Sequence, residues 1–383
     1  LTMDCALYIH FPFCVRKCLY CDFGSLAGSS ISPEEYVAVL MRELELRAAT
    51  LDGTVTASTL YFGGGTPSLM ASESVKLVID WARRWYGLLP GAEVTLEANP
   101  GTIDREKLAG YRAAGVNRLS LGVQSFDDAI LGRLGRLHTA RQAADAVTLA
   151  RQAGFANLGI DLIHGLPGQS VAMWRDDLAR AVDLAPEHIS AYGLTVEEGT
   201  PFHDLARNGQ LDLPDEDTAL EMLEMTSDLL RETGYEQYEI SNFARPGCRS
   251  RHNQVYWHRG EYLGFGAGAH SFLRMGGWGR RWHNPRQPAV YMQAMADGLP
   301  PAEEPFTLDR HDAMAEFMFL GLRLLEGIEL SRFREEFGVA VNEAYGAEVD
   351  YLTTSGLLEL VDDRLRLTRA GLPLANQVFQ RFL

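Results

Sequence analysis

The sequence predicts an α/β protein: a partial, open (β/α)6 barrel of TIM-like design, followed by a small C-terminal helical unit resembling a winged helix. Three observations carry that reading. From Ala6 to Leu194, short β-branched or apolar runs alternate with helical stretches, a pattern that means parallel strands joined by crossover helices. The alternation runs through six units, too few to close an eight-fold barrel. From about Thr307 it gives way to helical spacing and one hairpin. The expected organisation is therefore a barrel over 1–240, a glycine- and aromatic-rich connecting segment over 241–306 that carries a candidate haem motif, and the C-terminal unit over 307–383.

Taken in order, the expected barrel strands are Ala6–Phe11, Thr59–Phe62, Glu93–Ala98, Arg118–Gln124, Leu158–Ile163 and His188–Gly193. The expected helices between them are Pro33–Thr50, Ser72–Tyr86, Asp104–Ala114, Ala140–Ala153 and Ser170–Leu184. Ser32-Pro33-Glu34-Glu35 supplies a cap, a proline at the first helical position and two acids in the first turn. Gly115 and Gly154 stand where helix C-caps belong. Asp215 to Thr233 reads as an amphipathic helix on Leu220, Met222, Leu223, Leu229 and Leu230, and Tyr235–Ser241 as the last strand beside the barrel. Beyond Thr307, helices are expected over Asp309–Leu325, Ser331–Phe337 and Asn342–Ser355. A hairpin turning at Asp362-Asp363 and a last helix follow.

Composition narrows the function. A formal net charge of −16 argues against a nucleic-acid backbone as partner, since phosphate binding is carried by Lys and Arg; the winged-helix-like unit also lacks a basic face along its helices. No run of 18 apolar residues could span a membrane, and no basic region precedes an apolar core as a secretory signal requires. Leu1 and Thr2 are read as residues left ahead of a start at Met3. Five cysteines, three of them in one short motif, suit a reducing cytoplasm rather than disulfides; Cys5 and Cys248 are read as ordinary thiols.

That motif, Cys14-Val15-Arg16-Lys17-Cys18-Leu19-Tyr20-Cys21, follows the first strand, at the strand end where barrel chemistry gathers. Thiolates favour iron–sulfur clusters, zinc or copper. Three close thiolates fit a cubane held at three corners with one iron open. A zinc site completed by His10, or three loop cysteines without metal, are the alternatives. Tyr61-Phe62-Gly63-Gly64-Gly65-Thr66-Pro67 lets backbone run close to a ligand, or simply makes a tight turn. Glu97 ends the third strand at the mouth, as a ligand group or a solvent-facing acid. Gln124, Arg136 and Asp161 sit at or after later strand ends, facing a ligand or satisfying nearby backbone. In Arg251-His252-Asn253-Gln254-Val255-Tyr256-Trp257-His258 a histidine stands beside aromatics: an axial imidazole with stacking surfaces, or an aromatic-lined core turn, which composition alone favours. Arg245, Arg249, Arg251 and Arg259 are near enough in sequence to meet carboxylates.

These motifs together resemble the radical S-adenosylmethionine (SAM) superfamily, and Tyr8-Ile9-His10-Phe11-Pro12-Phe13-Cys14 resembles its group of oxygen-independent coproporphyrinogen III oxidases (HemN) and HemW-type haem chaperones. The resemblance spans nearly the entire chain. It implies a radical SAM barrel with a [4Fe-4S] cluster on Cys14, Cys18 and Cys21. The open iron would take the amino and carboxylate groups of SAM, and an electron from the cluster would release a 5′-deoxyadenosyl radical. It implies SAM contacts from Tyr8, Tyr20, Gly64, Gly65 and Thr66, with Glu97 accepting the ribose hydroxyls. Gln124, Arg136 and Asp161 match positions that line a second SAM site in the oxidases. His-Asn-x-x-Tyr-Trp is a hallmark of the chaperones and implies that His252 holds haem iron. The glycine-rich Gly260–Ser271 resembles a segment of both groups and suits close approach to a ligand.

Three departures separate the chain from the oxidases: Phe23 stands where they carry a further cysteine, only thirteen residues precede Cys14, and the histidine motif belongs to the chaperones. The expectation is a haem chaperone that binds haem and hands it to an acceptor haemoprotein, membrane-associated or not, with dimerisation open. The alternative is oxidative decarboxylation of coproporphyrinogen III propionates to vinyls.

Overall fold

The computed structural model describes residues 2–51, 54–274, 277–298 and 301–383; Leu1 lies outside them. Six parallel strands form the barrel wall: β1 (Thr2–Phe11), β2 (Thr54–Gly64), β3 (Glu93–Ala98), β4 (Arg118–Gln124), β5 (Leu158–His164) and β6 (His188–Gly193), each hydrogen-bonded to the next. Helices return between them where the sequence pattern places them. Pro33–Thr50 opens with a reciprocal cap: the Ser32 hydroxyl accepts the Glu35 N–H at 3.1 Å, and the Glu35 carboxylate accepts the Ser32 N–H at 3.1 Å. Ser72–Tyr86 and Arg105–Ala114 end on left-handed Gly87 and Gly115.

The sheet does not close. At one edge β6 pairs antiparallel with Asn242–Ala244, which pairs with Glu236–Gln237; the single strand expected over Tyr235–Ser241 is thus two short ones. At the other edge β1 pairs in parallel with Glu261–Phe265, followed by antiparallel His270–Leu273, Arg280–His283 and Glu303–Thr307. Segment 241–306 therefore extends the barrel sheet, giving twelve strands with free ends. Its glycines serve that packing. A Cβ on Gly266, which has φ +93°, would lie 2.5 Å from the His10 carbonyl oxygen and from the Tyr36 hydroxyl. Beneath it, Glu43 is buried yet fully partnered. It accepts from Arg47 (2.7 Å), Tyr291 (2.7 Å), Asn284 (2.8 Å) and the Gly266 N–H (2.8 Å), which locks the first helix to the extension.

The C-terminal unit packs around a second core, including Phe317, Phe333, Phe337, Val349 and Leu365, which also takes in Phe272 of the extension. Helices Arg310–Gly321, Leu330–Phe337 and Val341–Thr354 pack beside a small antiparallel sheet of Ile328–Glu329, Arg364–Leu367 and Leu358–Val361. Arg259, almost wholly buried, ties the unit to the extension through Glu316 (3.1 Å) and Glu336 (2.8 Å). Among the described residues no helix is long and apolar enough to cross a membrane.

Candidate functional site

The barrel interior is polar, and register shows why. Residues paired across neighbouring parallel strands point to one face. Tyr61, Thr95 and Arg118 make one row; Glu97, Ser120 and His188 lie on the next; Gly122, Asp161 and Ser190 make a third. The alternate residues, Leu60, Phe62, Leu96, Leu119, Leu121, Ile160 and Ile189, join the buried core under the helices. A packed eight-fold barrel fills its centre with Val, Ile and Leu. Here the strands turn polar side chains inward around a cavity of about 420 Å³.

Cys14, Cys18 and Cys21 all line that cavity and are half-buried and unpaired. Their loop is pinned along its length. Phe13–Cys14 pairs with Leu26–Ala27, the Leu19 N–H donates to the Leu134 carbonyl (3.1 Å), and the Phe202 N–H donates to the Leu19 carbonyl (3.1 Å). Two donors already face the sulfurs: the Thr66 hydroxyl lies 3.4 Å from Cys14 Sγ and Arg136 Nη1 3.7 Å from Cys18 Sγ. Three open thiols in one cavity with donors on their sulfurs fit a cluster held at three corners. His10 does not line the cavity with the three sulfurs. His10 is buried with Nδ1 bonded to the Tyr8 hydroxyl at 3.1 Å.

The glycine turn lines the same cavity, but its close approach is to protein. Gly64 has φ +112°, and a Cβ there would sit 2.7 Å from the His10 ring; one on Gly65 would sit 2.7 Å from the Phe13 carbonyl oxygen. The Gly65 and Thr66 N–H groups donate to the Phe11 and Phe13 carbonyls, both at 2.8 Å. The turn is thus fitted to the cysteine strand, which fixes Thr66 against Cys14.

Glu97 accepts from the Tyr61 hydroxyl (2.9 Å) and the Gly64 N–H (3.2 Å). Burial pushes its carboxyl up to about 7 despite those donors, with Asp161 adding to the rise. Asp161 accepts from Ser120 at 3.0 and 3.2 Å, and burial raises it too, against the pull of Ser190, Ser120 and Arg118. Arg136 donates to Asn99 Oδ1 (2.6 Å) and to the Gly122 carbonyl. Gln124 lines the cavity at the end of β4 with φ +70°, a strained value for a residue with a side chain. Tyr20 lines it too, its ring 6.3 Å from Phe202. Tyr8 stands one layer back, stacked 6.1 Å from Tyr61.

Residue-type reasoning missed the floor of the cavity: Arg118, His188, Asn253 and Tyr61 all line it. Arg118 is 2% exposed and its Nε finds no partner. The signal was present in the strands, which read Arg-Leu-Ser-Leu-Gly-Val-Gln and His-Ile-Ser-Ala-Tyr. Their polar members share one period-2 face.

His252 is brought to the barrel but not opened to the cavity. Its segment folds as a helix, Arg251–Trp257, capped by the Ser250 hydroxyl. His252 is 1% exposed, with Nδ1 on the Thr59 hydroxyl (2.8 Å), Nε2 on the Tyr256 hydroxyl (2.8 Å) and its ring stacked 4.9 Å from Tyr61. Burial, with Arg118 nearby, drops its pKa to about 3. The flanking arginines are committed elsewhere: Arg251 to the Gly91 carbonyl (3.1 Å), Arg245 to the Thr233 carbonyl (2.8 Å), and Arg259 to its two glutamates.

The chain is similar to known proteins along nearly its whole length. The radical SAM superfamily matches residues 8–181, and the HemN C-terminal domain matches residues 308–374. The chain is 36% identical over 379 residues to a protein named haem chaperone HemW in Bacillus subtilis, covering 98% of both chains. It is 38% identical over 384 residues to one of the same name in Mycobacterium tuberculosis, covering 98% of this chain and 94% of that one. A Bos taurus protein, radical S-adenosyl methionine domain-containing protein 1, mitochondrial, is 35% identical, covering 99% of this chain and 87% of that one. Among solved structures, coproporphyrinogen III oxidase (HemN) from Escherichia coli matches with a TM-score of 0.86 at 24% identity, covering 99% of this chain and 90% of that one. At that identity the likeness speaks to the fold.

Proposed function

We infer the function from a family now established: this chain belongs to the HemW family of haem chaperones, within the radical SAM superfamily. It binds haem and transfers it to an acceptor haemoprotein. The superfamily implies a [4Fe-4S] cluster and SAM, which together supply one-electron chemistry at the sulfonium when bound. The observation that carries the reading is the convergence of Cys14, Cys18 and Cys21 with Thr66, Glu97, Gln124, Arg136 and Asp161 on one cavity, in a chain matched end to end by the chaperones.

Each residue has a definite task. The three thiolates hold the cluster, with Thr66 and Arg136 donating to their sulfurs. Gly64, Gly65 and Thr66 offer the cavity a fixed backbone edge. Glu97 would accept hydrogen bonds from the ribose hydroxyls, and Gln124, Arg136, Asp161 and Tyr20 would complete the SAM seat. Tyr8 acts through Tyr61 and His10 rather than by direct contact. His252 would hold haem iron only once Thr59 or Tyr256 releases one of its nitrogens. Five unpaired cysteines support a cytoplasmic setting. The acceptor, whether at a membrane or free, and any dimerisation would be read from capture of haem-loaded complexes.

Anaerobic reconstitution with haem, SAM and coproporphyrinogen III supplied separately tests the reading. One haem per chain with a Soret band is expected, and no protoporphyrinogen. Catalytic turnover of coproporphyrinogen would overturn the chaperone function.

A further inference from the structure

We propose that the cross-strand pair His270–His283 on the sheet extension is the haem-iron seat open in this conformation. The proposal rests on the haem-chaperone reading and names where the cargo is held while His252 is closed. His270 and His283 face each other in antiparallel register, their ring centroids 5.2 Å apart at 38°. His270 is exposed and the His283 side chain is 25% exposed. Nδ1 of His283 is turned to the Asn284 carbonyl at 3.0 Å. That bond sets the tautomer with hydrogen on Nδ1 and leaves the Nε2 lone pair for a metal. The His270 side chain makes no hydrogen bond among the described residues. The contrast with His252, both of whose nitrogens are occupied, is direct.

Position and charge suit the cargo. Glu261–Phe265 pairs with β1 up to Ile9↔Phe265, so the His270 strand lies two places along the sheet from β1, the strand that leads into Cys14. The groups around the pair are Arg286, Arg281, Glu303 and His10. Arg281 is bound to Glu316 (2.5 Å), and Glu303 lies 3.9 Å from His283 Nδ1. Arg286 is exposed and has no carboxylate partner among the described residues. The Arg286 guanidinium is thus a partner for a porphyrin propionate beside the two imidazoles. As cross-strand neighbours both imidazoles project from the same face of the sheet. One ligates and the other stands by, so the iron is held by a single protein bond, which transfer to an acceptor can break.

The test is haem titration of the full chain, followed through the Soret band, for wild type, the double variant His270→Ala/His283→Ala and Arg286→Glu. The double variant is expected to bind haem at least about tenfold more weakly, with loss of the imidazole-ligated spectrum. Arg286→Glu is expected to weaken binding several-fold with the spectrum unchanged. If the double variant titrates like wild type while wild type takes up haem, this proposal is wrong and the chaperone reading stands. If wild type takes up no haem, both fall.

Discussion

The cysteine loop and the Arg251–Trp257 helix each carry a motif readable from sequence, and they present it in opposite ways. The loop is pinned through backbone hydrogen bonds, so its three sulfurs remain half-exposed toward the cavity. The helix spends its side chains on packing, so His252 is enclosed between Thr59, Tyr61 and Tyr256. A motif specifies residue types; whether the ligating atoms are free depends on what holds the segment in place. Backbone tethering leaves side chains available, and side-chain tethering consumes them. A loop of the first kind is ready for its cofactor as folded. A helix of the second kind needs a conformational change first, and the free energy of that change lowers the apparent affinity of whatever binds there.

Substitution should separate the two regions most sharply. Replacing Cys14, Cys18 or Cys21 with Ala should abolish cluster absorbance after anaerobic reconstitution, yet shift the stability of the metal-free chain by no more than about 0.5 kcal/mol, as partly exposed positions do. His252→Ala should do the reverse. It leaves the Tyr256 and Thr59 hydroxyls without their partner and opens a hole beside Tyr61, costing about 2–4 kcal/mol in denaturant unfolding, with cluster assembly intact. Equal stability losses in both regions would dissolve the contrast.

Acid should act on the closed region. His252 is held neutral down to about 3, and His10, His138 and His164 to about 4, each mainly by burial. In the unfolded chain each takes a proton near its ordinary 6.5. Between the two values the unfolded state binds more protons, so stability is lost as pH falls below about 6.5. At pH 5 a single such histidine accounts for about 2 kcal/mol. Unfolding midpoints followed from pH 7 to 5 should therefore drop steeply in wild type and less in His252→Gln. Parallel profiles would mean that His252 is not held neutral by the fold.

How much of this could be read in advance follows the range of the interactions. The barrel strands and helices were legible because period-2 and period-3.6 patterns and caps such as Ser32 and Gly115 are local. Cavity-lining positions such as Glu97 and Asp161 were legible because they sit at strand ends that a barrel brings together. The sheet extension was not. Glu261–Phe265 is glycine-containing and short, and its partner β1 lies at the other end of the chain. Arg118 escaped notice because a charged first residue of a strand reads as solvent-facing; only the closed register with Thr95 turns it inward. The enclosure of His252 depends on Thr59, 193 residues away, and no local pattern encodes that contact.

The smallest effect bears on the open region and asks how far its readiness extends beyond the sulfurs. Glu97 shares the cavity with the cysteines, yet it is buried enough to titrate at about 7. Below that value it is a neutral acid, half of whose hydrogen-bonding capacity is a donor; above it both oxygens accept. Ribose hydroxyls donate best to the carboxylate, so SAM should favour the ionised form and release a proton on binding below pH 7. Only about a tenth of the free protein is ionised at pH 6 and about nine-tenths at pH 8, so SAM affinity should rise about tenfold across that interval. Glu97→Gln, which accepts through one oxygen at any pH, should bind more weakly at pH 8 and show a flat profile. Calorimetric titration of SAM into the reconstituted protein at both pH values measures this. A wild-type affinity that does not change with pH would mean that Glu97 does not meet the ligand, and that the open character of the mouth ends at its thiols.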